Sequence, residues 1–240
     1  MKQYPRGFTL IEMLIVVAIV VSLAAIGFSV MKSSRQKADQ AAALQKMKSL
    51  GAAFATYTTD KNGLLPFEDA SGSDDWVNAA KPENQETWYN ALPRSMRLKG
   101  AGDYSNAQKA EFYERGSLFH CPSVRFPAGY LTGNNTLFSL AMNSKLINGT
   151  GGTIPAAGIQ SAASTVIFLE NRLTGERPAD PAQPTDNLGQ PSSYASRFVL
   201  RHGDGGNLVF ADGHAEYLNG RAVVESRSGP ARGKAIFPQD

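Results

Sequence analysis

The chain has 240 residues, with 24 Lys and Arg against 21 Asp and Glu, and its formal net charge of +3 is too weakly basic to imply a nucleic-acid partner. Apolar residues make up 42% of it, and 23 Gly and 13 Pro are near ordinary usage, which excludes collagen-like and wholly disordered chains. A single cysteine, Cys121, excludes an internal disulfide framework.

In chain order, the first feature is a short basic leader holding Lys2 and Arg6, followed by an uncharged apolar run from Met13 to Met31. At 1.5 Å per residue this run covers about 28 Å, close to the hydrocarbon thickness of a bilayer. A basic leader, an apolar span and a long polar remainder predict a single-pass protein with its N-terminus in the cytoplasm and its head exported. A cleaved secretory signal is the competing reading, because Ser22, Ala24 and Ala25 offer small residues after an apolar stretch. Glu12 argues against it. An ionised carboxylate among Phe8, Leu10, Ile11, Met13 and Leu14 costs about 3 kcal/mol on insertion scales, and such a residue ordinarily has a partner and a task. The alternative is that Glu12 snorkels to the headgroups from its place near the end of the span.

The stretch Arg6-Gly7-Phe8-Thr9-Leu10-Ile11-Glu12-Met13-Leu14 resembles the N-terminus of type IV prepilins and of type II secretion pseudopilins. The resemblance implies that a prepilin peptidase cuts between Gly7 and Phe8 and methylates the Phe8 amine. It also implies that Glu12 meets the N-terminal amine of a neighbouring subunit and so sets the register of assembly. Physically, an ammonium at Phe8 and a carboxylate at Glu12 attract far more strongly in low dielectric than in water. The implied partners are the peptidase, other pilin or pseudopilin subunits, an assembly platform in the inner membrane, and the lipid bilayer before assembly.

Beyond Met31 the pattern becomes amphipathic. Ala43, Met47, Leu50, Phe54 and Tyr57 fall on one stripe, and no proline occurs between Phe8 and Pro66, so one helix is predicted from about Phe8 to about Thr59, stopped by Asn62-Gly63. The domain reading is a leader over 1–7, a transmembrane part over 8–31, an amphipathic part over 32–60, and a head over 61–240. The fold class is α+β, pilin-like: a long helix packed on a head with a small antiparallel sheet.

Residues 64–116 read as loop-rich, with Trp76, Trp88, Tyr89 and Leu92 as buried points and a short helix from Asn106 to Arg115 behind a Ser105/Gln108 capping-box spacing. Asp74 and Asp75 are weighed as calcium ligands and set aside as a hydrated turn, since the spacing of a calcium loop is absent. Thr165–Glu170 is a predicted strand. Arg197–His202, Asn207–Ala211 and His214–Leu218 are predicted to form a three-stranded antiparallel meander, its second turn made by Asp212-Gly213.

His202, nine further residues, then Asp212-Gly213 resembles the H-X9-DG domain found at the end of many prepilin-like proteins, with Phe119-His120-Cys121-Pro122-Ser123 and Ala141-Met142-Asn143 as similar intermediate landmarks. An enzyme or metal reading would begin with His202, Asp204, Asp212 and His214. A strand between the two pairs would hold them about 16 Å apart, too far for one ion. These residues are read as structural: Asp212-Gly213 as a turn, and His202 as a hydrogen-bond donor to a neighbouring loop. Cys121 is read as an inert thiol. No catalytic residue, metal or cofactor is assigned. The leading expectation is a prepilin-like structural subunit, and the alternative is a membrane-tethered binding module that does not polymerise.

Overall fold

The computed structural model describes residues 8–68, 75–146, 155–182 and 186–227. Tertiary contacts divide the chain into two units, Met1–Asp39 and Gln40–Asp240. The first helix, α1, runs Leu10–Asp60 over 51 residues, about 76 Å at 1.5 Å per residue. It is stopped as the sequence predicts: Asn62 and Gly63 take φ of 55° and 84°, and the Gly63 amide donates to the Thr58 carbonyl at 2.7 Å.

Within the first unit α1 buries nothing. Leu10, Leu14, Val17, Val21, Leu23, Ile26 and Phe28 are all exposed, and this is the one helix among the described residues long and apolar enough to cross a membrane. Within the second unit the helix carries the predicted stripe, and Ala43, Met47, Leu50, Phe54 and Tyr57 are buried in the head. Lys46, which the periodicity places off the stripe, is half-buried. Its Nζ donates to the carbonyls of Arg115, Ser117 and His120 at 2.8, 2.5 and 2.8 Å, which ties α1 to the segment leading into Cys121.

The head sheet has five strands in the order β3-β1-β2-β4-β5: β1 Leu140–Asn143, β2 Val166–Glu170, β3 Ser192–Ser193, β4 Gly205–Phe210 and β5 Ala215–Asn219. It is mixed rather than purely antiparallel, because β3 runs parallel to β1. The predicted meander is corrected in its first member. Arg197–His202 makes only isolated bridges, and the strand beside β4 is β2. Val166-Ile167-Phe168-Leu169 is apolar without alternation, the signature of a strand covered on both faces, and such a strand takes the centre of the sheet.

One face of the sheet meets α1, where Phe54 stands edge-on to Phe168 with ring centroids 5.9 Å apart. The other face packs Val166, Leu169, Leu208 and Phe210 against Phe198 and against Val223 of α5, Gly220–Arg227. The loop-rich region includes the short helices α2 Trp76–Ala79 and α3 Trp88–Ser95, and its four expected anchors are all buried. The helix expected over Asn106–Arg115 is shorter, a 3-10 turn followed by α4 at Lys109–Phe112; the Ser105 side chain makes no capping bond. Trp88 touches Phe119, Phe138 and Phe168, and its Nε1 donates to the Pro191 carbonyl at 2.9 Å.

Candidate functional site

Two places concentrate the chemistry. At the start of α1, Glu12 and Thr9 form a reciprocal cap. The Thr9 amide and hydroxyl donate to Glu12 Oε2 at 2.8 and 2.7 Å, and the Glu12 amide donates to Thr9 Oγ1 at 3.3 Å. The pair satisfies two of the amides a helix start leaves open. The spacing Thr9-x-x-Glu12 is legible in the sequence as a capping box. Phe8 is 73% exposed beside this cap, and Gly7 lies outside the described residues.

The second place is inside the head, at the end of the central strand. Glu170 terminates β2 with no exposed surface, and its side chain gathers groups from three other segments. Oε1 receives His202 Nε2 at 2.9 Å, Cys121 Sγ at 3.1 Å and Asn207 Nδ2 at 3.1 Å, and Oε2 receives the Asn207 amide at 3.1 Å. A neighbouring ion pair is equally buried: Arg201 meets Glu176 at 2.5 Å and also donates to the carbonyls of Ser139 and Asn171. Burial acts to raise the Glu170 pKa, but the His202 hydrogen bond and charge, with Arg201, overcome it and hold the carboxyl down at about 2. Burial, reinforced by the Glu170 charge, pushes the Cys121 thiol well up. A thiol kept protonated in this way is a poor nucleophile.

Gly206 makes this packing possible, since a Cβ there would stand 2.8 Å from Glu170 Oε2 and 2.9 Å from both the Phe198 ring and the Val199 carbonyl. Two buried polar atoms near Glu170, His202 Nδ1 and Asn207 Oδ1, have no hydrogen-bond partner among the described residues.

The residues singled out in the sequence fall at the two ends of β4. His202 precedes the strand and bonds to Glu170 on a neighbouring strand, not to a loop as expected. Asp212 and Gly213 follow the strand. Gly213 has φ of 88° and its amide donates to the Phe210 carbonyl, while Asp212 Oδ1 accepts from the His214 amide at 3.0 Å and meets His214 Nδ1 at 2.5 Å on the surface. This turn lies against α1 so closely that a Cβ on Gly51 would stand 2.1 Å from the Gly213 carbonyl oxygen. Asp204 pairs at the surface with Arg177 at 3.3 Å. Of the two acidic residues weighed for calcium, Asp75 caps α2 by accepting the Asn78 amide at 2.7 Å, and Asp74 lies outside the described residues.

Glu170 escaped the sequence reading, although a signal was present. A carboxylate closing an uninterrupted apolar strand is drawn inside with it, and buried carboxylates are paired.

One family model matches, the prokaryotic N-terminal methylation motif, over residues 3–28. Comparison with curated proteins and with solved structures returned no significant match. The matched segment takes in the Thr9–Glu12 cap and most of the exposed apolar part of α1, with residues 3–7 lying outside the described residues. Motif and helix together support a prepilin-like protein, of the type IV pilin or pseudopilin kind, consistent with an anchor in a membrane.

Proposed function

We propose that the chain is a structural subunit, not an enzyme, cut between Gly7 and Phe8 by a prepilin peptidase and N-methylated at Phe8. It then assembles with other pilin or pseudopilin subunits, on a platform in the inner membrane, into a type II secretion pseudopilus or a type IV pilus-like filament. The N-terminus begins in the cytoplasm and the head stands in the periplasm or at the cell surface. The observation that carries this reading is the methylation motif over residues 3–28, which runs into a helix whose large apolar side chains from Leu10 to Met31 are exposed.

Burying those side chains against like helices supplies the drive to associate, since packing then replaces lipid contact. The Glu12 carboxylate would exchange its bonds to Thr9 for the Phe8 ammonium of a neighbour, selecting one axial stagger. The head, with its resemblance to the H-X9-DG group, faces outward.

The Thr9–Glu12 cap favours a second reading, a tethered binding module that never polymerises, because it gives Glu12 a partner inside its own chain. Two measurements decide. Mass spectrometry of the mature protein is expected to find N-methylated Phe8 as its first residue; an intact leader in cells with an active peptidase overturns the first reading. Glu12→Ala is expected to reduce filaments or secretion at least tenfold while the processed subunit still accumulates in the membrane. Unchanged filaments or secretion would overturn the register role of Glu12, and a processed wild-type subunit absent from every filament would leave the tethered module.

A further inference from the structure

The sequence assigns no metal to this chain, and the candidate set it weighed, His202 with Asp204, Asp212 and His214, is dispersed in the fold. The structure gathers a different set around the same histidine. Cys121, Glu170 and His202 come from a loop, the central strand and the segment before β4, and all three are buried, with 1%, 0% and 7% of their surface exposed. Sγ, Oε1 and Nε2 stand 3.1, 2.9 and 3.9 Å from one another. Donor atoms around a tetrahedral zinc ion, with bonds of about 2.0–2.3 Å, stand about 3.3–3.6 Å apart. Admitting the ion needs movements of a few tenths of an ångström.

We propose that Cys121, Glu170 and His202 form a buried site for a divalent transition-metal ion of the zinc type, completed by the side chain of Asn207.

Three observations carry it. First, Oε1 of Glu170 receives three donors, from His202, Cys121 and Asn207, although a carboxylate oxygen offers two lone pairs. Protons crowd where a cation would satisfy the same atoms. Second, Asn207 is fully buried with its Nδ2 on Glu170 Oε1 and its Oδ1 without a hydrogen-bond partner among the described residues. Turning that carboxamide over presents Oδ1 to the cluster as a fourth ligand. Third, the charges close. A thiolate and a carboxylate neutralise a divalent ion, so the filled site adds no net charge to the interior.

Binding releases two protons to solvent, that of the Cys121 thiol and the Nε2 proton of the charged His202, which leaves a neutral imidazole with its proton on Nδ1 and Nε2 on the metal. The donor set also names the class. Sulfur and imidazole select zinc, cobalt or copper over calcium and magnesium, which require oxygen shells. Its supports are rigid, since Glu170 and Asn207 sit on adjacent central strands and Tyr217 Oη donates to the His202 carbonyl at 3.1 Å. With all ligands buried, the ion has a structural role: it clamps the Cys121 loop and the His202 segment to the sheet. The proposal does not depend on filament assembly.

The test uses the untagged full chain in detergent, stripped with a chelator and titrated with cobalt(II). The expected result is one equivalent bound per chain, with a thiolate-to-cobalt charge-transfer band in the near ultraviolet and tetrahedral d–d absorption, both removed by competing zinc. Cys121→Ala is expected to abolish the charge-transfer band, His202→Gln to weaken binding at least tenfold, and His120→Gln to change neither. Asn207→Ala is expected to keep the band and weaken binding about tenfold; undiminished affinity there removes Asn207 from the site. If the wild-type chain gives no band, or the band survives in Cys121→Ala, the proposal is overturned whether or not the other variants fold.

Discussion

Two stretches of the same helix obey opposite rules. From Leu10 to Met31 large apolar residues point in every direction and none is buried, whereas from Ala43 to Tyr57 a stripe of Ala43, Met47, Leu50, Phe54 and Tyr57 is buried while Ala52 and Ala55 stay exposed. The backbone is helical throughout, so the difference lies in the surroundings each stretch is written for. A stripe is what a helix needs when one side faces a core and the other faces water, and an all-round apolar surface is what it needs in lipid or among like helices. Helical propensity says little about either; the distribution of polar residues around the axis says most of it.

Substitutions can break or sharpen this contrast. Phe54→Ala empties a fully buried position that meets Phe168 edge-on, and it is expected to destabilise the head by about 3–5 kcal/mol in chemical denaturation. Val20→Asp, at an exposed position of the apolar stretch, is expected to cost about 3 kcal/mol of membrane insertion and to move the protein out of the membrane fraction while leaving head stability unchanged. An equally exposed change on the head half, Ala52→Asp, should shift neither property by more than about 0.5 kcal/mol. If Val20→Asp behaves like Ala52→Asp, the two stretches are not addressed to different solvents.

Gly51→Ala sharpens the comparison inside the second stretch. The added methyl group meets the Gly213 carbonyl, so a loss of about 1–3 kcal/mol in thermal or denaturant unfolding is expected, against a gain of helical propensity of about 1 kcal/mol were the position open. A stabilised variant would mean that the Asp212-Gly213 turn does not rest on α1.

The smallest effect is electrostatic. Asp103 has its carboxyl held below the ordinary value by the Arg94 guanidinium, with bonds at 2.9 and 2.5 Å. A carboxyl lowered in the folded state stabilises above its unfolded pKa of 3.8 and loses that contribution as pH falls through the folded value. The pair is about a third exposed, so Asp103→Asn should cost less than about 1 kcal/mol at neutral pH, and that cost should shrink as pH falls below 3.8. A cost that persists unchanged at pH 2 would show that something other than the charge supports the loop.

Periodicity made α1, its buried stripe and its stop legible, since each depends on residues close in sequence. The same locality makes the methylation motif, Glu12 and the Thr9 cap legible. Prediction failed in the sheet, where Arg197–His202 has strand-like composition but loses its place beside β4 to Val166–Glu170. Composition registers what a strand can be, and pairing is a competition among segments far apart in the chain.

Residues within a few turns of one another therefore determined the anchor, the helix and the Asp212-Gly213 turn, because their spacing is itself the interaction. Only the tertiary structure decided that His202 faces Glu170 and Cys121 rather than Asp212. Those partners lie 32 and 81 residues away in sequence, and they meet because an apolar strand drags its terminal carboxylate into the interior, where every nearby polar group must converge on it.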